Sequence, residues 1–122
     1  MGARVNFVFK TESNKPNIVL YSHWGETSWR EDLANALYKA EKRLSMGDPT
    51  YALRIIISQL IGDNWDSETG YGLYLADEDE TYGDFSVEVD MINQMVNDNG
   101  NWHSFNSFVE YQQEVEMYHA KV

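Results

Sequence analysis

Residues 21–26 form a polar and aromatic cluster where a predicted strand ends and a predicted helix begins. Backbone N–H groups at a helix start lack intrahelical partners, and the helix dipole favours an anion there. His23 is of the type that acts as a base or donor near neutral pH, and Trp24 offers a flat surface for a base or ring. The pattern predicts a phosphate or carboxylate site. The structural alternative, since packing explains most aromatic residues, has Trp24 packed on the helix and His23 capping a loop carbonyl.

Arg54 is a single cation within the apolar stretch 53–57 of a second predicted helix. Burying a guanidinium without a partner is costly, so this side chain must reach the surface or meet a carboxylate or a phosphate. Glu68, at the start of the next predicted strand, is the candidate for a structural ion pair. If Arg54 meets a phosphate instead and the segments 23–24 and 68–69 converge on it, these residues form one small polar pocket with an aromatic wall. The predicted ligand-binding residues are His23, Trp24, Arg54, Glu68 and Thr69.

The remaining motifs give no support for catalysis. Gly70 and Gly72 form a GxG pair, but no third glycine and no helix follow, so the dinucleotide fingerprint is not met and a bulge or close backbone approach is the simpler interpretation. The three histidines lack zinc-motif spacing, and the chain has no cysteine. We therefore predict no catalytic residue, no metal and no cofactor. A small hydrolase using His23 with Glu26 or Glu68 as acid and base is the weaker alternative.

An acidic run follows the third predicted strand. It consists of Asp77, Glu78, Asp79, Glu80 and Asp84. The spacing does not match a calcium-binding EF-hand, because the sixth position from Asp77 is Tyr82 and the twelfth is Glu88. The run is either a solubilising hairpin tip or a partner-binding surface that imitates a nucleic-acid backbone.

Alternating apolar residues predict the strands that must position these groups. Residues 4–10 place Val5, Phe7 and Phe9 on one face, with Val8 as the exception. Residues 17–22 supply the second strand of a hairpin, and further strands are predicted over 68–76, 85–91 and 94–96.

Helical spacing and capping residues predict the helices. A Ser28–Glu31 capping box opens a first helix, whose stripe comprises Trp29, Leu33, Leu37, Ala40 and Leu44. Asp48 and Pro49 open a second helix to Ile61, and a Ser107–Glu110 capping box opens a terminal helix. Phe108, Tyr111, Val115 and Tyr118 would share the buried face of that terminal helix. The order ββααβββα predicts an α+β two-layer sandwich, with a mostly antiparallel sheet, helices on one face and a largely polar opposite face.

Composition bounds the class of protein. The chain has 122 residues, of which 43% are hydrophobic, so we expect one globular domain over residues 1–122. Twenty acidic and nine basic residues give a net charge of −11, which disfavours direct binding to nucleic acid or to an anionic membrane. The N-terminus lacks an apolar signal segment, and no apolar run is long enough to cross a bilayer. We therefore expect a cytoplasmic protein.

Three short motifs carry a resemblance. LYSHWG at 20–25, YALRI at 51–55 and ETGYG at 68–72 together resemble a group of small bacteriophage proteins. The resemblance spans the central half of the chain and brings no established activity with it. It implies a phage accessory protein in the bacterial cytoplasm with a host-directed role such as counter-defence, either binding a defence protein or sequestering its nucleotide signal.

The sequence thus predicts a non-enzymatic binding protein that sequesters a nucleotide-like or other anionic small molecule. The alternative is an acidic protein–protein inhibitor that mimics nucleic acid on a host defence enzyme. Self-association is compatible with both functions, because Tyr74 and Tyr82 would lie near an exposed sheet face or edge.

Overall fold

The structure is a computed structural model that describes residues 4–23, 27–77 and 85–120. The strands are Val5–Lys10 (β1), Asn17–Ser22 (β2), Tyr71–Ala76 (β3), Phe85–Asp90 (β4), Met95–Asp98 (β5) and Asn101–Ser104 (β6). The helices are Trp29–Lys39 (α1), Glu41–Ser45 (α2), Pro49–Ile61 (α3) and Phe105–Ala120 (α4), with a short 3₁₀ turn at Gly62–Asn64. None of the helices in these ranges is long and apolar enough to span a membrane.

The six strands form one sheet in the order β3-β2-β1-β4-β5-β6. Among these described strands only the central pair, β1 and β4, is parallel, and every other neighbouring pair is antiparallel. The predicted α+β class with a mostly antiparallel sheet is confirmed. Strand β2, the helical segment 29–64 and strand β3 lie between β1 and β4 along the chain. A connection of this length allows the two strands to run parallel.

The main core lies between the sheet and the helices. The alternation in β1 buries Val5, Phe7 and Phe9 against the helices, and β4 adds Val87 and Val89. The predicted stripe of the first helix is confirmed. Its buried members are Trp29, Leu33, Leu37, Ala40 and Leu44.

The first helix is broken where the sequence predicts continuity. Ala40 separates α1 from α2, and its N–H donates to both the Ala36 carbonyl at 3.1 Å and the Leu37 carbonyl at 3.2 Å. Sharing a donor in this way tightens the helix end towards a 3₁₀ turn. The apolar stripe continues into α2 through Leu44, so hydrophobic periodicity alone does not show the break.

The sheet face away from the helices is less polar than predicted. Val8, the exception to the β1 alternation, is buried there with Val19 and Ala76 in a second apolar cluster. Asn6 is also buried on this face, where its Oδ1 accepts a hydrogen bond from the Tyr74 hydroxyl at 3.2 Å. The Val8 side chain therefore contributes to a small second core.

The chain after β4 departs furthest from the prediction. Asn99 and Gly100 both have positive φ, as a two-residue type I′ hairpin requires, and they join β5 to β6, which the sequence analysis did not predict. Helix α4 then begins at Phe105, and the Ser107 N–H donates to Ser104 Oγ at 3.1 Å. The predicted capping box at Ser107 and Glu110 was wrong, because Ser104, three residues earlier, supplies the capping hydroxyl.

Candidate functional site

The predicted pocket is only partly assembled in the structure. His23 follows β2 directly, and its backbone N–H donates to the Gly70 carbonyl at 2.8 Å, so it lies beside the predicted 68–70 segment. The His23 Nδ1 lies 2.9 Å from the Tyr21 hydroxyl. Trp24 lies outside the described residues. The backbone pairing of β2 with β3 thus brings His23 close to Glu68 and Thr69 in the fold.

The side chain of Arg54 reaches the surface and does not meet a buried partner in the described part of the chain. Its side chain is exposed on α3, as are those of Glu68 and Thr69 at the approach to β3. Within the described residues, no ion pair joins Arg54 to Glu68, and the predicted structural pair is not formed there. In an amphipathic helix, residues four positions apart, such as Leu53 and Ile57, can both face the core, while Arg54 between them in sequence faces solvent. Arg54 therefore needs neither a buried partner nor a ligand.

A separate cleft lies between α1, the β5–β6 hairpin and α4. We call it the α1/α4 cleft, and its volume is about 780 Å³. Its lining residues are Arg30, Asp98, His103, Ser107, Phe108, Tyr111, Gln112 and Val115. Three further clefts along the described chain have volumes of about 420, 270 and 150 Å³. Small-molecule sites are concave, mixed in polarity and of several hundred Å³, so the α1/α4 cleft is the best candidate.

An arginine–aspartate pair is fixed at one end of this cleft. Arg30 Nε donates to Asp98 Oδ2 at 2.9 Å, and Arg30 Nη2 donates to Asp98 Oδ1 at 2.8 Å. The guanidinium carbon also lies 4.8 Å from the centre of the Trp29 ring. A bidentate pair with a stacked guanidinium has a defined orientation, unlike a flexible surface ion pair. The Nη1 group of Arg30 takes no part in the pair.

The hydrogen bonds within the pair favour the charged form of both members. The hydrogen bond from Arg30 lowers the pKa of Asp98 below its ordinary value, burial opposes this, and the charges of Arg30 and His103 add to the lowering. The hydrogen bond to Asp98 likewise raises the pKa of Arg30 against the effect of burial. His103 is therefore close enough to Asp98 to contribute to the electrostatics of the cleft.

Helix α4 supplies the apolar side of the cleft. Phe108 is buried, and its ring stacks on Trp29 with centroids 5.9 Å apart and an angle of 16° between the planes. Tyr111 is 63% exposed, so the prediction that it shares the buried face of this helix was wrong. Gln112 occupies that buried face instead, one position further along the chain. The Tyr111 ring consequently remains accessible at the cleft.

Sequence reasoning missed this cleft because its two charged residues are 68 positions apart. Asp98 belongs to a stretch of turn-forming residues, 97–101, in which no strand is predicted from the sequence. The available signal was the Asn99–Gly100 dipeptide, the typical centre of a two-residue hairpin. Recognising it would have placed Asp98 and His103 on adjacent strands, but not opposite Arg30.

The predicted acidic surface is mostly outside the part of the chain that the structure describes. Glu78, Asp79, Glu80, Asp84 and Tyr82 all lie there, while Asp77 is described and exposed. Among the described residues, no group of three or more histidines and carboxylates is arranged to hold a metal ion. The structure therefore adds no metal site to the α1/α4 cleft.

Comparisons of the chain with protein-family models, with curated proteins and with solved structures find no significant match.

Proposed function

We propose that the protein is a non-enzymatic binding protein that holds a small, nucleotide-like anion in the α1/α4 cleft. The observation that carries this proposal is the placement of an oriented arginine beside an exposed aromatic ring in one cleft. The predicted class of ligand is kept, but the site moves from His23 and Arg54 to Arg30 and Tyr111.

The cleft offers complementary groups for the two halves of such a ligand. Arg30 and His103 both line the cleft, and Arg30 Nη1 and the His103 imidazole can donate hydrogen bonds to a phosphate or carboxylate. The exposed ring of Tyr111 provides a stacking surface for a base, an interaction that stabilises by about 1–3 kcal/mol. Val115 extends the apolar wall next to it.

Local charge in the cleft opposes an anion less than the net charge of the whole protein does. The protein carries a net charge of −11, which repels anions at long range. The charged lining residues of the cleft are one arginine and one aspartate, which offset each other. An anion in the cleft therefore meets a fixed hydrogen-bond donor without a local excess of negative charge.

The resemblance to small bacteriophage proteins favours a host-directed role for such binding. A protein that binds a nucleotide signal without converting it acts by lowering the free concentration of that signal. This mechanism needs a tight site and no catalytic group, in agreement with the sequence, which has no nucleophile or metal motif.

Isothermal titration calorimetry with linear and cyclic mononucleotides, and with the uncharged nucleosides as comparison, tests the proposal. We expect heat with at least one nucleotide and a Kd raised about tenfold or more by Tyr111→Ala, because a base loses its stacking surface. Arg30→Gln should weaken nucleotides but not nucleosides. Absence of heat with every nucleotide at high micromolar concentration would contradict the proposal.

Two matched control variants separate this site from the one that the sequence predicts. Arg54→Gln removes an exposed arginine of α3, and His23→Ala removes the histidine that the sequence predicts as a ligand residue. Both variants should bind nucleotide with unchanged Kd. If Arg54→Gln weakens binding as much as Arg30→Gln does, the ligand does not occupy the α1/α4 cleft.

A further inference from the structure

Strand β3 forms one edge of the sheet and pairs only with β2 among the described strands. Its sequence, YGLYLA, contains no charge and no proline, and its register with β2 runs without a bulge. Natural proteins usually protect an exposed edge with one of these features, because unpaired N–H and C=O groups accept a further strand. Strand β3 has none of these protections.

Apolar side chains accompany this open edge. Leu73 is 52% exposed and Leu75 is 68% exposed, and both lie on the sheet face that the helices cover elsewhere. Tyr71, on the same face, is partly buried against the core. The helical layer thus stops short of β3, and an apolar row is left exposed along the edge.

The direction of the backbone groups in β3 follows from its pairing with β2. The His23 N–H donates to the Gly70 carbonyl, so the Gly70 C=O points towards β2 and the Tyr71 N–H, on the same trans peptide plane, points away from it. Backbone groups alternate in direction along a strand, and the register is continuous from Tyr71 to Ala76. Tyr71, Leu73 and Leu75 therefore direct both their N–H and C=O groups to the free edge.

We propose that β3 pairs antiparallel with β3 of a second copy of this chain, with the two-fold axis at Leu73. In this register Leu73 lies opposite Leu73 of the second copy, and Tyr71 lies opposite Leu75. All of the outward-directed residues of the strand then face one another, and each pair exchanges two hydrogen bonds. A register centred one residue earlier or later leaves one outward-directed residue without a partner inside the strand.

The side chains agree with the same register. Tyr71, Leu73 and Leu75 all lie on one sheet face, so the paired strands bury a continuous apolar row between the two helical layers. A strand that matches itself residue for residue makes a closed, two-fold interface with a second copy. Strand β3 brings no charged residue into that contact, so the repulsion between two chains of charge −11 acts from a distance and is screened by salt.

Disulfide trapping tests the register, because the natural chain has no cysteine. Hydrogen-bonded antiparallel partners have Cα atoms about 5.5 Å apart, within the range that a disulfide spans. Leu73→Cys should therefore form a disulfide-linked dimer under mild oxidation. Leu75→Cys is the matched control, since the two Leu75 positions are about 13 Å apart or more at the rise of a strand. Efficient crosslinking of Leu75→Cys, or of neither variant, would overturn the proposal.

Sedimentation equilibrium tests the association without a crosslink. The wild type should be a dimer whose dissociation constant falls with added salt, and Leu73→Lys should be monomeric. Met46→Lys introduces the same charge at another exposed apolar residue, far along the chain from β3, and should remain dimeric. Thermal unfolding confirms that both variants fold. A folded Leu73→Lys that still dimerises, or a monomeric wild type at high protein and salt concentration, contradicts the β3 pairing, whatever the outcome of nucleotide titration.

Discussion

Among the features of the cleft, the Arg30–Asp98 pair is the one that a single substitution tests most simply. Asp98→Asn keeps the shape of the side chain and removes its charge, so one charge-assisted bond is lost and the guanidinium loses its orientation. We expect a loss of about 0.5–1 kcal/mol in the free energy of unfolding at pH 7, as for a partly exposed pair. Urea unfolding measures it, with the exposed Asp66→Asn as the control that should change little.

The same pair gives a pH dependence of known sign. The pKa of Asp98 is lowered in the folded state by its hydrogen bond with Arg30, so the stabilisation is present above the ordinary pKa of 3.8. It is lost as pH falls below that value through the folded pKa, because the carboxyl takes up a proton. The difference in unfolding free energy between wild type and Asp98→Asn should therefore shrink under these acidic conditions. A difference that stays constant down to the acid transition would show that the pair is not the cause.

The start of α4 gives a second test at the level of single residues. Ser104→Ala removes the hydroxyl that accepts from the Ser107 N–H, and should lower the free energy of unfolding by about 1 kcal/mol. Ser107→Ala is the control, because its hydroxyl lies one turn inside the helix, and should have a much smaller effect. Equal effects of the two variants in urea unfolding would restore the cap position that the sequence suggested.

At the scale of elements, α4 depends on which of its aromatic residues enters the core. Phe108 is buried and stacks on Trp29, whereas Tyr111 is exposed at the cleft. Phe108→Ala should destabilise the fold by about 3–5 kcal/mol through a lost buried ring. Tyr111→Ala should change stability by no more than about 0.5 kcal/mol while weakening the ligand. Chemical unfolding monitored by circular dichroism distinguishes these outcomes, and comparable destabilisation would mean that Tyr111 also packs in the core.

Periodicity predicted the elements whose burial pattern is simple. The alternation of β1 and the stripe from Trp29 to Leu44 are both seen in the structure, because one face of each element meets the same core. The proline and aspartate at the start of α3 also behave as expected, with the Tyr51 N–H donating to Asp48 Oδ1 at 3.2 Å. Local signals of this kind need no knowledge of what lies across the core.

What the sequence could not supply was contact between distant segments. Arg54 was singled out because it interrupts an apolar run, yet helical geometry alone brings it to the surface. Arg30 lies in the first turn of a helix, where an arginine gives no sequence signal of a site, although it meets Asp98 across the fold. The β5–β6 hairpin places Asp98 there, and this hairpin is not predicted from the sequence. The candidate site therefore became visible only through tertiary packing.

For the molecule as a whole, the net charge of −11 acts more strongly on some surfaces than on others. It opposes anion binding and self-association at long range, and both effects weaken in salt. The α1/α4 cleft and the uncharged β3 edge are two regions where this opposition is locally relieved. Their positions differ, because the cleft includes residues of the β5–β6 hairpin at one edge of the sheet and β3 forms the opposite edge, so a ligand and a second copy occupy separate surfaces.

The central claim is that a small anion binds between α1 and α4, and nuclear magnetic resonance tests it most directly. Titration of the isotope-labelled wild type with the mononucleotide that gives heat in calorimetry should shift the amide signals of Arg30, Asp98, His103 and Tyr111. The signals of His23, Gly70 and Arg54 should stay in place. Shifts confined to His23, Gly70 and Arg54, with the α1/α4 cleft unchanged, would contradict the account and return the site to the segment that the sequence first suggested.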